Sequence, residues 1–119
     1  MAKDYNHLTQ ELSSTLATMH KDMPGVMTAF SQLAKSASAE GALDLKTKEL
    51  IALAIGIACR CDGCIGFHSK KLVQTGASRE ELQEMLAMAV FMGGGPSLMY
   101  AAEALNAFEQ FSSKVASAA

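Results

Sequence analysis

The residues best able to carry chemistry lie in the stretch CRCDGCIGFH, Cys59 to His68. It contains all three cysteines of the chain and one of its three histidines. A thiol becomes a good nucleophile once it loses its proton, and a neighbouring imidazole or a helix N-terminus lowers the pKa of a thiol. Thiolates and imidazoles are also ligands that zinc prefers. The stretch therefore indicates a site for electron exchange or metal binding, with inert packing as the alternative.

The spacing of Cys61, Cys64 and His68 favours redox chemistry. On one helix they would face the same way, within an arc of roughly 60°. Residues three apart have Cα atoms about 5 Å apart, inside the window of roughly 4.4–6.8 Å for a disulfide. His68 lies one turn beyond Cys64, which favours Cys64 as the attacking thiol and Cys61 as its resolving partner. The first cysteine of a pair that opens a helix lies nearer the positive end of the dipole, so spacing leaves the two roles open.

Metal binding is the rival interpretation, because Cys59, Cys61, Cys64 and His68 make up the four ligands of a tetrahedral zinc site. Structural zinc sites usually pair two short ligand clusters across a loop, which a single stretch does not provide. Cys59 continues the apolar run IALAIGIAC and is predicted to be a small buried hydrophobe. On residue type alone, Glu49 is expected to be a solvated acid near the N-terminus of its helix.

The elements that must position these residues are predicted to be helices. Apolar residues recur at helical spacing, and no alternating run rich in β-branched residues appears, so the chain is expected to be an all-α bundle of about six helices. Asp44 is a predicted N-cap, Ser78 and Glu81 form a capping box, and Gly76 is a predicted helix stop. The predicted helices cover residues 5–20, 22–37, 45–58, 62–74, 78–92 and 95–112.

Two further expectations concern the ends and faces of these helices. The third helix carries a wide apolar face and is expected to be largely buried; that face consists of Leu50, Ile51, Ala54, Ile55, Ile57 and Ala58. The tail SSKVASAA is small and polar and is expected to be frayed.

Composition narrows the function classes. A chain of 119 residues predicts a single domain over residues 1–119, and 50% hydrophobic against 18% charged residues predicts self-assembly. A net charge of −2 with scattered lysines argues against nucleic acid or an anionic membrane surface as a partner. Met85 to Ala102 carries no charge, but Gly93 to Ser97 interrupts it, which predicts two helices and no membrane span. The N-terminus lacks the pattern of a secretory signal, so a cytoplasmic protein is expected.

Glu49, Cys61, Cys64 and His68 together resemble the Glu-x11-Cys-x2-Cys-x3-His signature of alkylhydroperoxidase D-like proteins in the carboxymuconolactone decarboxylase family. The resemblance covers roughly residues 20–110, including "LDLKTKELIALAIG" before the site and "TGASREELQEML" after it. It changes the interpretation of Glu49, which in such proteins belongs to a proton relay.

The resemblance implies a thiol-dependent peroxidase or disulfide reductase in antioxidant defence, without a cofactor or metal. By position, Cys64 matches the peroxidatic cysteine, Cys61 the resolving cysteine, and His68 with Glu49 the base system. The implied substrate is a hydroperoxide, and the implied electron donor is a dithiol or a thioredoxin-like protein. The short chain is similar to single-repeat members, which assemble as homotrimers or homohexamers.

One departure from the family pattern bears on activity. Some members carry a histidine between the cysteines, whereas this chain has Asp62 and Gly63 there. A relay group is then missing and an acid opposes thiolate formation, which predicts weak peroxidase activity. The alternatives are a lactone decarboxylase, which does not need a redox cysteine pair, and a non-catalytic redox-sensing or metal-binding module.

Overall fold

The computed structural model describes residues 3–118, and within that range the chain forms six α-helices and no strand. The prediction of an all-α fold is confirmed. The helices are α1 (Tyr5–Asp22), α2 (Pro24–Ser38), α3 (Leu45–Ala58), α4 (Asp62–Gln74), α5 (Arg79–Gly93) and α6 (Gly95–Ala118).

The predicted capping residues form the helix ends. Asp44 accepts a hydrogen bond from the backbone N–H of Thr47 and begins α3. Ser78 and Glu81 form the complete capping box at the start of α5. Gly76 follows α4 with φ 78°, a left-handed conformation that costs glycine little. Local chemistry therefore accounts for where α3 and α5 begin and where α4 ends.

The end of α6 differs from the prediction. The helix does not stop near Ser112 but continues to Ala118, so the expectation of a frayed tail is wrong for the residues described; Ala119 lies outside them. The segment contains no glycine or proline that would interrupt a helix. Phe111, which is buried, anchors α6 in the core just before the segment begins.

The core lies where α4 packs between α3 and α6, with α5 against α3 and α6 and α1 across α4 and α6. Its buried apolar residues are Tyr5, Leu53, Ile57, Ile65, Leu72, Leu82, Leu86, Ala101, Ala104, Ala107, Phe108 and Phe111. Because α4 contacts three other helices, side chains at its start are held by elements from distant parts of the chain.

The expectation that α3 is largely buried is only half right. Leu53 and Ile57 are fully buried, whereas Ile51 is 45% and Ile55 58% exposed. Neighbouring helices cover only one face of α3, since residues four apart lie on the same side and residues two apart do not. The outer face of α3 is therefore apolar and uncovered in a single chain.

Helix α2 has no buried residue. Val26, Phe30 and Leu33, which share one face, are each more than 60% exposed. A helix of this length gains little stability from its own hydrogen bonds and usually needs tertiary packing. Its apolar face lacks that packing within one chain.

The uncharged stretch from Met85 to Ala102 divides into α5 and α6, as predicted. Gly94 stands between the two helices with φ 73°, a left-handed conformation suited to glycine. No helix among residues 3–118 is both long and apolar enough to cross a membrane.

Candidate redox site

A tight reversal between α3 and α4 brings the cysteine pair into position. Arg60 adopts φ 57°, an uncommon left-handed conformation for a residue other than glycine. Its N–H donates to the Ile57 carbonyl at 3.1 Å, and the Cys61 N–H donates to the Gly56 carbonyl at 2.9 Å. These two bonds end α3 in a Schellman arrangement. The next residue, Cys61, can therefore serve at once as the N-cap of α4.

Cys61 and Cys64 form a disulfide, with Cα atoms 5.2 Å apart. Cys61 is the N-cap of α4 rather than a residue within the helix, and its Sγ accepts a hydrogen bond from the Cys64 N–H at 3.2 Å. The pairing that the spacing allowed is present. The positive end of the α4 dipole is directed at Cys61, which favours negative charge on that sulfur.

Close helix packing holds the two cysteines. A Cβ added at Gly56 on α3 would lie 3.0 Å from Cys64 Cβ, and one at Gly63 would lie 2.9 Å from Leu12 Cδ1 on α1. Both contacts are tighter than ordinary van der Waals separation, so a larger residue at either position would displace a neighbour. The start of α4 is thus fixed by glycines that let α1 and α3 approach it closely.

Glu49 on α3 and His68 on α4 form a hydrogen-bonded pair. His68 Nδ1 lies 2.6 Å from Glu49 Oε1, and Glu49 is only 2% exposed. The prediction of a solvated acid is wrong, because Glu49 shares the face of α3 that includes Leu53 and Ile57 and packs inward. A buried carboxylate is costly unless it is hydrogen-bonded, and His68, with 32% of its side chain exposed, provides that bond.

A polar network around Asp62, which lies between the two cysteines in sequence, was not predicted. Lys3 Nζ lies 2.9 Å from Asp62 Oδ2 and 3.8 Å from Glu103 Oε1. The Tyr5 hydroxyl donates to Glu103 Oε1 at 2.5 Å. The hydrogen bond with Asp62 raises the pKa of Lys3, and burial followed by the Glu103 contact raises the pKa of Tyr5.

Cys59 is exposed, so the prediction of a buried hydrophobe is wrong. Cys59 is the C-cap of α3 and lies two residues beyond Ile57, the last buried residue of that helix. Residues two apart on a helix face different sides, so the Cys59 side chain is directed away from the core. Its thiol is not part of the disulfide. Any measurement of thiol reactivity must therefore remove or identify Cys59.

The four-ligand arrangement of a zinc site is not assembled in this structure. Across residues 3–118, no group of three or more histidine, cysteine or acidic residues lies close enough together to hold a metal ion. Two of the four candidate ligands are bonded to each other as the disulfide.

An open groove of about 670 Å³ runs between α1 and the start of α4. Asp62 and Gly63, the two residues between the cysteines, form one wall, and Leu8, Glu11, Leu12, Ser14 and Thr15 form the other. Small molecules can thus approach the segment between the cysteines from solvent.

The structure thus combines an all-α fold with a Cys61–Cys64 disulfide at the start of α4 and a buried Glu49 that is hydrogen-bonded to His68. The model of the carboxymuconolactone decarboxylase family matches residues 24–107. The chain belongs to that family.

Solved structures and sequence relatives agree with this assignment. A carboxymuconolactone decarboxylase family protein from Legionella pneumophila is 61% identical, with a TM-score of 0.90 over 91% of this chain and 96% of the other. A family protein from Thermotoga maritima, for which involvement in an antioxidative response has been suggested, is 30% identical, with a TM-score of 0.83 over 92% and 94%. An uncharacterized protein of Cupriavidus necator is 37% identical over 92% of this chain and 96% of its own length.

Proposed function

We propose that the protein is a thiol-dependent peroxidase or disulfide reductase that uses Cys61 and Cys64 to reduce hydroperoxides. The observation that carries the proposal is the 2.6 Å bond between His68 and the buried Glu49, one helical turn beyond Cys64. With Nδ1 bonded to Glu49, the Nε2 atom is the ring nitrogen left to accept a proton from Cys64, directly or through water. Glu49 orients the ring and stabilises the positive charge that it gains.

The oxidative half-reaction begins with the Cys64 thiolate. It attacks one oxygen of the hydroperoxide, the O–O bond breaks, and an alcohol leaves with the proton held by His68. Cys64 becomes a sulfenic acid, which the Cys61 thiol attacks to form the disulfide and release water. The hydroperoxide has then taken two electrons from the cysteine pair.

The reductive half-reaction requires a dithiol or a thioredoxin-like donor. One donor thiolate attacks Cys64 Sγ, the disulfide breaks, and Cys61 leaves as a thiolate. The Cys64 N–H, 3.2 Å from Cys61 Sγ, and the α4 N-terminus stabilise that leaving group. The second donor thiol then releases Cys64 and leaves the donor oxidised. A reducing compartment such as the cytoplasm suits this cycle.

The same hydrogen bond favours a thiolate at Cys61, so the roles of the two cysteines need a direct test. A Cys61→Ser variant and a Cys64→Ser variant, both with Cys59→Ser, are treated with peroxide and a sulfenic acid trap. The modified residue is located by mass spectrometry. The proposal expects the trapped acid at Cys64 in the first variant and much slower trapping at Cys61 in the second; the reverse result would exchange the roles.

Turnover distinguishes the remaining functions. The proposal expects consumption of an alkyl hydroperoxide with a dithiol donor, lost in either cysteine variant. Decarboxylation of a muconolactone that survives in the Cys61→Ser, Cys64→Ser double variant would support a lactone decarboxylase, the activity that gives the family its name. Reversible oxidation without turnover would support a redox sensor.

We also infer that the protein functions as a homotrimer or homohexamer. The outer faces of α2 and α3 are apolar and uncovered in one chain. The region between α5 and α6 adds an apolar groove of about 600 Å³, lined by residues that include Val90, Phe91 and Leu98. Apolar surface of this extent is typical of an interface rather than of a free monomer.

A further inference from the structure

The N-terminal segment places a cation beside the cysteine pair. Lys3 Nζ lies 2.9 Å from Asp62 Oδ2, although the two residues are 59 positions apart in the chain. Asp62 is the first residue of α4 and stands directly between Cys61 and Cys64 in the Cys-x-x-Cys segment. The carboxylate that the sequence places next to the thiols is therefore paired with an ammonium group.

The main chain around Lys3 is held in place. The Gln110 side chain on α6 binds both sides of this segment, because its Nε2 donates to the Lys3 carbonyl at 2.7 Å and its Oε1 accepts from the Tyr5 N–H at 2.7 Å. The Tyr5 ring is fully buried, and its hydroxyl is bonded to Glu103. The lysine side chain thus extends toward Asp62 from an anchored backbone.

The charge on this pair affects the two redox states differently. The disulfide is neutral, whereas the reduced pair carries a thiolate near neutral pH in the proposed cycle. A carboxylate next to that thiolate disfavours the reduced state, and an ammonium group favours it. Other acids also face this region: Glu103 lies 3.8 Å from Lys3, Glu11 lines the same groove as Asp62, and Asp4 and Glu109 line a pocket with Lys3.

We propose that Lys3 is a positioning residue that shifts the redox equilibrium of the Cys61–Cys64 pair toward the reduced state by neutralising Asp62. The inference rests on the proposed function in taking this pair as redox-active, with a thiolate in its reduced state near neutral pH, and it does not require hydroperoxide turnover. Lys3 makes the disulfide easier to reduce than Asp62 alone would allow. Both side chains are more than 40% exposed, so the effect is modest and sensitive to salt.

The test is equilibration of the full chain in glutathione buffers, in a Cys59→Ser background. Two glutathione thiols reduce the protein disulfide to a dithiol and become one glutathione disulfide, so the ratio of species gives an equilibrium constant for reduction. Lys3→Met should lower this constant roughly two- to fivefold, a change of about 10 to 20 mV. Asp62→Asn should raise it, and Lys3→Arg should leave it near the wild-type value.

The double variant is the decisive measurement. If Lys3 acts through Asp62, Lys3→Met should have almost no effect when Asp62→Asn is already present. The effect of Lys3→Met alone should also shrink in 1 M salt, where the Debye length is about 3 Å. The proposal is overturned if Lys3→Met leaves the equilibrium constant at its wild-type value. It is also overturned if Lys3→Met lowers the constant equally in the presence and in the absence of Asp62→Asn.

Lys46→Met provides a matched control. This variant removes another surface ion pair, in which Lys46 Nζ lies 2.7 Å from Glu81 Oε2. Lys46 is at the end of α3 opposite the cysteines, so the equilibrium constant should not change. Thermal unfolding checks that each variant is folded, and the opposite signs expected for Lys3→Met and Asp62→Asn cannot arise from general destabilisation. If the protein does not reduce hydroperoxides but its variants show these shifts, the proposed function is refuted and this inference is still supported.

Discussion

His68 Nδ1 and Glu49 Oε1 lie 2.6 Å apart, although the two residues are separated by 19 positions and belong to different helices. Glu49 is buried and His68 is partly exposed, so the pair extends from the inner face of α3 to a partly exposed side chain on α4. Residues four apart on a helix are neighbours, which places the imidazole next to the Cys64 side chain. In the proposed cycle, this contact connects the buried Glu49 to Cys64 through the His68 imidazole.

Removal of either member of this pair should slow thiolate formation at Cys64. His68→Ala should reduce the rate of alkylation and of peroxide reaction at pH 7 by about a hundredfold, since general-base contributions are typically of that size or larger. Glu49→Gln should act in the same direction but less strongly, because it keeps the shape and removes the charge. The measurement is alkylation rate against pH in a Cys59→Ser, Cys61→Ser background, where only Cys64 reports.

Both variants should recover toward wild-type rates near pH 9.5, since an unperturbed thiol with a pKa of about 8.5 ionises unaided there. His7→Ala, which removes an exposed histidine on α1, is the matched control and should leave the profile unchanged. If the parent and both site variants gave one common profile, the relay would not exist, and the sensor interpretation would gain support.

Mild peroxide should produce one intrachain disulfide, between Cys61 and Cys64, and leave Cys59 reduced. The structure has this bond, and Cys59 lies outside it on the exposed end of α3. Peptide mapping after differential alkylation identifies the pairing, and a dithiol should reverse it completely. A bond between Cys59 and Cys61, or intermolecular bonds alone, would contradict the assignment.

Local signals were sufficient to predict the six helices, apart from the end of α6, and the disulfide spacing. The caps at Asp44 and Ser78 and the stop at Gly76 depend on residues within a few positions of each other, so the sequence displays them directly. Cys61 and Cys64 are three apart, and any helical start brings them within bonding distance.

Contacts between distant segments could not be predicted in this way. The pairing of Lys3 with Asp62 and of Tyr5 with Glu103 requires α1 and α6 to be packed around α4, and no spacing in the chain encodes it. The burial of Glu49 and the exposure of Ile51 depend on which face of α3 its neighbours cover. Periodicity shows that a helix has an apolar face, but it does not show which residues of that face remain exposed to solvent.

Gly66→Ala should destabilise the protein. Overpacking typically costs roughly 1 to 3 kcal/mol, which outweighs the gain of about 1 kcal/mol from the higher helix propensity of alanine. A Cβ there would lie 2.7 Å from Thr9 Cγ2 on α1. Thr9 cannot rotate freely, because its hydroxyl donates to the Tyr5 carbonyl at 2.8 Å. Denaturant unfolding at one fixed protein concentration measures the change, since self-association would make the stability concentration-dependent.

The matched control is Gly25→Ala on α2, where an added Cβ meets nothing within 4 Å. It should leave the midpoint unchanged or raise it slightly. Equal stabilities for Gly66→Ala and Gly25→Ala would show that α1 does not pack on α4 as tightly as the structure indicates.

Phe30→Asp should reduce or abolish self-association. Phe30 is 66% exposed on a helix with no buried residue, and a charge at the centre of the face shared with Val26 and Leu33 would have to be desolvated on assembly. Light scattering at low micromolar concentration should give three or six times the chain mass of 12.6 kDa for the unmodified protein and less for Phe30→Asp. Thr28→Asp adds the same charge on the opposite side of α2 and should keep the assembly. A monomer mass for the unmodified protein would refute self-association, and equal masses for both variants would place the interface away from α2.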